Sequence, residues 1–189
     1  YNEIHIIFDT YRDKSLKKAT REKRQNDVTP IYYATFSTLE SIARIFGIEM
    51  KKLLSHIKTK RELTKYIAHI LYNKAKEYHY NVVVAFEDTV MSTMTLIDVD
   101  ELKSNHEDAD TKMILHAEYI ARRGITSVQI CSPDTNVLVL AIRNYKKLPP
   151  NSHFIKIGKN QRIISIGKYI FFNQMFYILQ NLLLNVQHL

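Results

Sequence analysis

Apolar residues fall in short blocks along this chain, and the spacing inside each block predicts its conformation. EIHIIFD predicts a short buried strand ending at Asp9, and NVVVAF (Asn81 to Phe86) predicts a second. TSVQICS predicts a third, closing in a Pro133-Asp134 turn; HFIKIG and RIISI predict two late strands around a turn at Lys159-Asn160. The polar run DKSLKKATREKRQ is helix-prone and ends at or before Pro30. Leu39 to Lys76 follow a helical pattern, with Gly47 and the KTKRE cluster as breaks. A polar connection of no assigned structure leads from Phe86 to Ser104. A helix then starts near Glu107, buries Ile114, Ala117, Ile120 and Ala121, and stops at Gly124 after Arg122 and Arg123. NVLVLAI fits helix and strand equally well, and a final helix begins at about Gly167.

Strands alternating with helices predict an α/β fold with a mainly parallel central sheet flanked by helices. In such sheets the functional crevice lies beyond the carboxyl ends of the strands. Asp9 and Asp134 each close a predicted strand, so a common site is geometrically possible.

Composition narrows the class. At 189 residues and 46% hydrophobic, the chain can form one domain with a real core. The single cysteine, Cys131, excludes a disulfide framework and a multi-cysteine zinc site, and suits a reducing intracellular compartment. The most apolar run, YIFFNQMFYILQNLLL (Tyr169 to Leu184), is shorter than the ~20 residues needed to span a bilayer. Asn173, Gln174 and Gln180 also interrupt it, so a buried or partner-seeking helix is expected and no membrane role.

The net charge of +8 is unevenly placed. Residues 1–78 hold 16 Lys/Arg against 9 Asp/Glu, whereas Glu87 to Asp110 hold eight acids and one base, Lys103. A basic half followed by an acidic knot fits a phosphate binder with a metal centre, and also fits an ordinary polar surface.

The knot itself, SNHEDADTKMILHA (Ser104 to Ala117), supports two readings. In the first, Ser104 and Glu107 form a capping box, while Asp108 and Asp110 complement the helix dipole. His106 is then a solvated side chain, and Asp134 bonds its own turn. In the second, Asp9, the Asp108/Asp110 pair and Asp134 supply the hard oxygen ligands that Mg²⁺ prefers. Positions i and i+2 of a regular helix point about 200° apart. Asp108 and Asp110 therefore share a site only if Asp108 sits at the frayed start; Glu107 and Asp110 share a face more easily.

Three segments together resemble a known family. HIIFDTYRDKSLKKATREKR resembles the flap-endonuclease signature of a strand ending in Phe-Asp, then Leu-Lys and spaced arginines. EDADTKMILHA resembles the acidic motif that opens the next family helix, and VQICSPDTNVLVLAI resembles the strand running into a two-acid turn. Their order is that of PIN-like, flap-endonuclease-type nucleases, including the asteroid-like branch and mobile-element-associated relatives in invertebrate genomes. The resemblance covers Ile4–Arg24 and Ser104–Ile142. It implies a single PIN-like domain over 1–189, with 28–80 as a variable helical basic insertion.

The resemblance further implies that Asp9, Asp108, Asp110 and Asp134 ligate one or two Mg²⁺ or Mn²⁺ ions, with Glu107 and Asn136 as additional candidates. Lys17 and Arg24 would contact the scissile phosphate, and Lys18 and Arg21 would bind nucleic acid, DNA ahead of RNA. Nuclear localisation is implied ahead of cytoplasmic. Asn136 stands where the family has a second turn aspartate. Neither the family's first strand nor its helix-hairpin-helix region falls within Tyr1–Leu189, so a fragment or a decayed copy is expected. The functional expectation is a metal-dependent, structure-selective nuclease domain, impaired in this chain. The rival expectation is an inactive nucleic-acid-binding or structural remnant, with the C-terminal apolar helix seeking a protein partner.

Overall fold

The computed structural model describes residues 3–11, 36, 54, 56–159 and 161–170. The predicted helix bearing Lys17, Lys18, Arg21 and Arg24, and the pattern from Leu39 to Met50, lie outside the described residues, as does the final apolar run beyond residue 170. The architecture is α/β, and the chain divides into two compact units, Tyr1–Ala109 and Asp110–Leu189.

In the first unit, strand β1 (Ile4–Ile7) leads by a long crossover to helix α1 (Ile57–Glu77). Strand β2 (Val82–Phe86) then runs parallel to β1, pairing Ile4 with Val82 through Ile7 with Ala85. A two-residue turn, Glu87-Asp88, reverses the chain into strand β3 (Thr89–Ser92), antiparallel to β2. All five residues of β2 are buried, which explains why VVVAF is continuously apolar and does not alternate. Val82, Val84 and Phe86 pack against Ala68, Leu71, Tyr72 and Ala75 of α1. The small Ala68 and Ala75 let that helix lie close to the strand. The KTKRE cluster is not a break: Lys58 to Glu62 form the opening turns of α1.

The second unit holds helix α2 (Ala109–Arg122, apart from its first residue) and strand β4 (Ser127–Ser132). Helix α3 (Thr135–Arg143) crosses over to strand β5 (Asn151–Lys156), parallel to β4, and strand β6 (Arg162–Ser165) pairs antiparallel with β5. NVLVLAI is therefore a helix, and its apolar spacing places Val137 and Ala141 in a core with Ile114, Ala117, Ile130, Leu148, Phe154 and Ile166. Helix α2 ends as expected, with Gly124 at φ 80°. Residues 166–170 begin a helix at the edge of the described region.

The described strands thus form two three-stranded mixed sheets, of order β1-β2-β3 and β4-β5-β6, each with one parallel and one antiparallel pairing. The antiparallel strand β3 comes from the connection that carried no predicted element; its TVMS alternation is too short to stand out by periodicity. Among the described residues, no helix is long and apolar enough to cross a membrane.

Candidate functional site

The carboxyl end of the first sheet gathers most of the chemistry. Beyond β1, the Phe8 N–H donates to the Ala85 carbonyl at 2.9 Å, prolonging the parallel pairing by one step. Thr10 is buried and tied twice: its N–H donates to the Glu107 carbonyl at 2.8 Å, and its hydroxyl to the Glu87 carbonyl at 3.3 Å. Asp9, between them, is exposed, and its Oδ1 accepts a 2.9 Å hydrogen bond from the Ala109 N–H. That amide is one of the donors a helix start leaves without an internal partner. A strand-end carboxylate thus caps α2 from 100 residues away in the chain. It also places a negative charge at the positive end of the helix dipole.

The anticipated Ser104–Glu107 capping box does not form, because the helix begins at Ala109. Ser104 Oγ instead accepts from the His106 N–H at 3.1 Å, a local turn, and His106 is exposed. Asp9 and the Glu107–Ala109 segment are brought together; Asp108 directly precedes the helix and is half-buried.

Cations surround the same edge. A crossover helix returns antiparallel to its strands, so the first turns of α1 lie at their carboxyl end. Arg61 Nε pairs with a Glu87 carboxylate oxygen, and Lys60 Nζ stands 5.6 Å from the Tyr11 ring centroid. Glu87 holds φ 50°, a left-handed conformation uncommon for a long side chain, at the β2–β3 turn. Sequence reasoning placed Lys60 and Arg61 in a basic insertion without singling them out, and assigned no role to Tyr11 or Glu87. The signal was available: once NVVVAF is a strand parallel to EIHIIFD, the start of the preceding helix must face the Asp9 end.

In the second unit, Asp134 is the N-cap of α3: its Oδ1 accepts from the Asn136 N–H at 2.8 Å. Its own N–H donates to Ser132 Oγ at 3.1 Å. Asp134 and Asn136 are both exposed, and the local turn reading holds for this pair. Asp110 is half-buried in the first turn of α2. One helical turn apart on that helix, Lys112 and His116 are each only 2% exposed, a buried ionisable pair that the apolar spacing alone did not reveal. Partial covering of the Cys131 thiol pushes its pKa up, although the residue as a whole is exposed.

The fit to a metal divides into chemistry and geometry. Carboxylate oxygens are the donors Mg²⁺ takes. Yet within either unit, among the described residues, no three His, Cys, Asp or Glu side chains gather to hold an ion. Asp9 commits one oxygen to Ala109 and Asp134 one to Asn136. The described residues do not form a metal cage.

No family model, curated protein or solved structure matches the chain. The resemblance to PIN-like nucleases rests on its three motifs.

Proposed function

We propose that the chain is a PIN-like, flap-endonuclease-type domain that engages nucleic-acid phosphodiesters at the Asp9 edge of the first sheet, with cleavage impaired. The observation that carries the reading is the hydrogen bond from Ala109 to Asp9, which joins the first and second acidic motifs across 100 residues. Asp110 and Asp134 are further ligands only by the motif order of the resemblance.

A Mg²⁺ or Mn²⁺ ion, when bound, would supply charge neutralisation at a phosphate oxygen. Mg²⁺ needs only one or two carboxylates when substrate phosphates complete its shell. Asp9, through its second oxygen, and Asp108 are the residues to offer them. Lys58 and Lys60 supply positive charge for the nucleic-acid backbone, while Arg61 is paired with Glu87, and Tyr11 offers an aromatic face beside them. A basic edge of this kind binds without strong sequence preference.

Asn136, which brings no charge where the family has a second turn aspartate, favours a second reading, an inactive nucleic-acid-binding module on the same fold. One experiment separates the two. A labelled flap or hairpin DNA is incubated with the chain in Mg²⁺ and in EDTA, and binding is titrated at several salt concentrations. Binding whose log affinity falls by about 0.7–0.9 per contacted phosphate for each decade of salt supports both. Mg²⁺-dependent cleavage lost in Asp9→Ala supports the nuclease; binding without cleavage supports the module. Salt-independent binding, or none, contradicts both.

A further inference from the structure

The opposite end of the first sheet carries a feature that the metal edge does not use. Helix α1 ends at Tyr78 in a Schellman motif. The Tyr80 N–H donates to the Ala75 carbonyl at 2.8 Å, and the His79 N–H to the Lys76 carbonyl at 3.3 Å. The reversal needs a left-handed residue, and His79 supplies it at φ 57°, where glycine is usual. Its consequence is to set two tyrosines side by side. The rings of Tyr78 and Tyr80 lie 6.3 Å apart, 32° from parallel, and the residues are 60% and 64% exposed. Lys74 Nζ stands 5.6 Å from the Tyr78 centroid and pairs with Glu77 at 2.7 Å, while Lys76 is exposed in the same turn.

Lone exposed aromatics need no explanation, but an adjacent pair does: beyond their contact with each other and with Lys74, the two rings remain mostly in water. The pair has the dimensions and the cationic border of a stacking surface. With Lys74 neutralising Glu77, Lys76 remains to meet a phosphate in a half of the chain that is already strongly basic. We infer that Tyr78 and Tyr80 form a platform on which bases of single-stranded nucleic acid stack, with Lys76 contacting the backbone between them. Stacking tolerates any base, because every base has a π-face. The inference shares its partner class with the function proposed above, but requires neither the metal nor the Asp9 edge.

The test uses the full chain and a single-stranded oligonucleotide carrying 2-aminopurine, whose fluorescence is quenched on stacking. The native chain quenches the probe. Tyr78→Ala and Tyr80→Ala each weaken binding on the order of 10-fold and relieve the quench, within the range known for base–aromatic stacking. Tyr78→Phe and Tyr80→Phe bind like the native chain, since the ring face is kept. The salt dependence is unchanged in the alanine variants, because no ionic contact is removed. Binding and quench that survive both alanine substitutions overturn the platform alone. No binding by the native chain overturns the platform and the nucleic-acid reading together.

Discussion

The two units share one plan and use it differently. Each has a strand, a crossover helix, a parallel strand beside the first, and a hairpin to a third, antiparallel strand. Each has an aspartate just past its first strand: Asp9 follows β1, which ends at Ile7, and Asp134 follows β4, which ends at Ser132. There the likeness ends. Asp134 turns back on its own chain to Asn136, two residues on. Asp9 reaches Ala109, 100 residues on. The same residue at the same place in the same topology is a local cap in one unit and a tertiary tie in the other. Position at a strand end therefore says where a carboxylate stands, while its partner decides what it does.

The central strands differ as well. β2 is buried along its whole length, whereas in β5 burial alternates, with Ser152 and Phe154 inside. The largest expected effect breaks the second core. Phe154→Ala removes a fully buried ring and should cost about 3–5 kcal/mol in denaturant unfolding. Val84→Ala in β2 should cost about 2 kcal/mol, since fewer buried carbons are lost. Amide exchange should place the loss in β4–β6 for the first variant and in β1–β3 for the second.

Next come the two aspartates. Asp134→Ala should cost about 1 kcal/mol, an ordinary cap loss, and Asp9→Ala about 1–2 kcal/mol, because the end of β1 loses its long-range tie to Ala109. Equal losses would weaken the contrast between tie and cap. A smaller effect is expected at His79, where His79→Gly should raise stability by about 0.5 kcal/mol. Relief of the left-handed strain outweighs the greater freedom of glycine in the unfolded chain. Thermal melts would resolve the sign.

The last effect is kinetic. Partial covering raises the Cys131 pKa, so less thiolate is present at neutral pH than for a free cysteine. Alkylation should be slower than for a small-molecule thiol near pH 7.5, and the gap should narrow as pH rises through the shifted value. A faster reaction than the reference would contradict that direction.

Much of this was legible in the residues. NVVVAF, TSVQICS, HFIKIG and RIISI read as strands because β-branched and aromatic runs bounded by turn residues have few alternatives. Ile114, Ala117 and Ile120 marked the buried side of α2 by their spacing. β3 did not show because four residues carry too little period. The capping box failed because Ser104 and Glu107 satisfy a local rule that cannot see Asp9. The link between Asp9 and Ala109 lies beyond any window of sequence, and only the motif order pointed to it. Lys112 and His116 escaped notice because polar side chains on a buried face break the apolar pattern that locates it.

The central claim of the proposed function is that the Asp9 edge, together with a bound phosphate, accepts a divalent ion. Titrating the isotope-labelled chain, in complex with a DNA oligonucleotide whose phosphates complete the shell, with Mn²⁺ and following backbone amides tests it directly, because a bound paramagnetic ion broadens nearby signals. Broadening should centre on residues 9 and 10 and on 107–109, and should disappear in Asp9→Ala while the β2 amides keep their native shifts. Broadening no stronger there than over the rest of the surface, or unchanged in Asp9→Ala, would contradict the account.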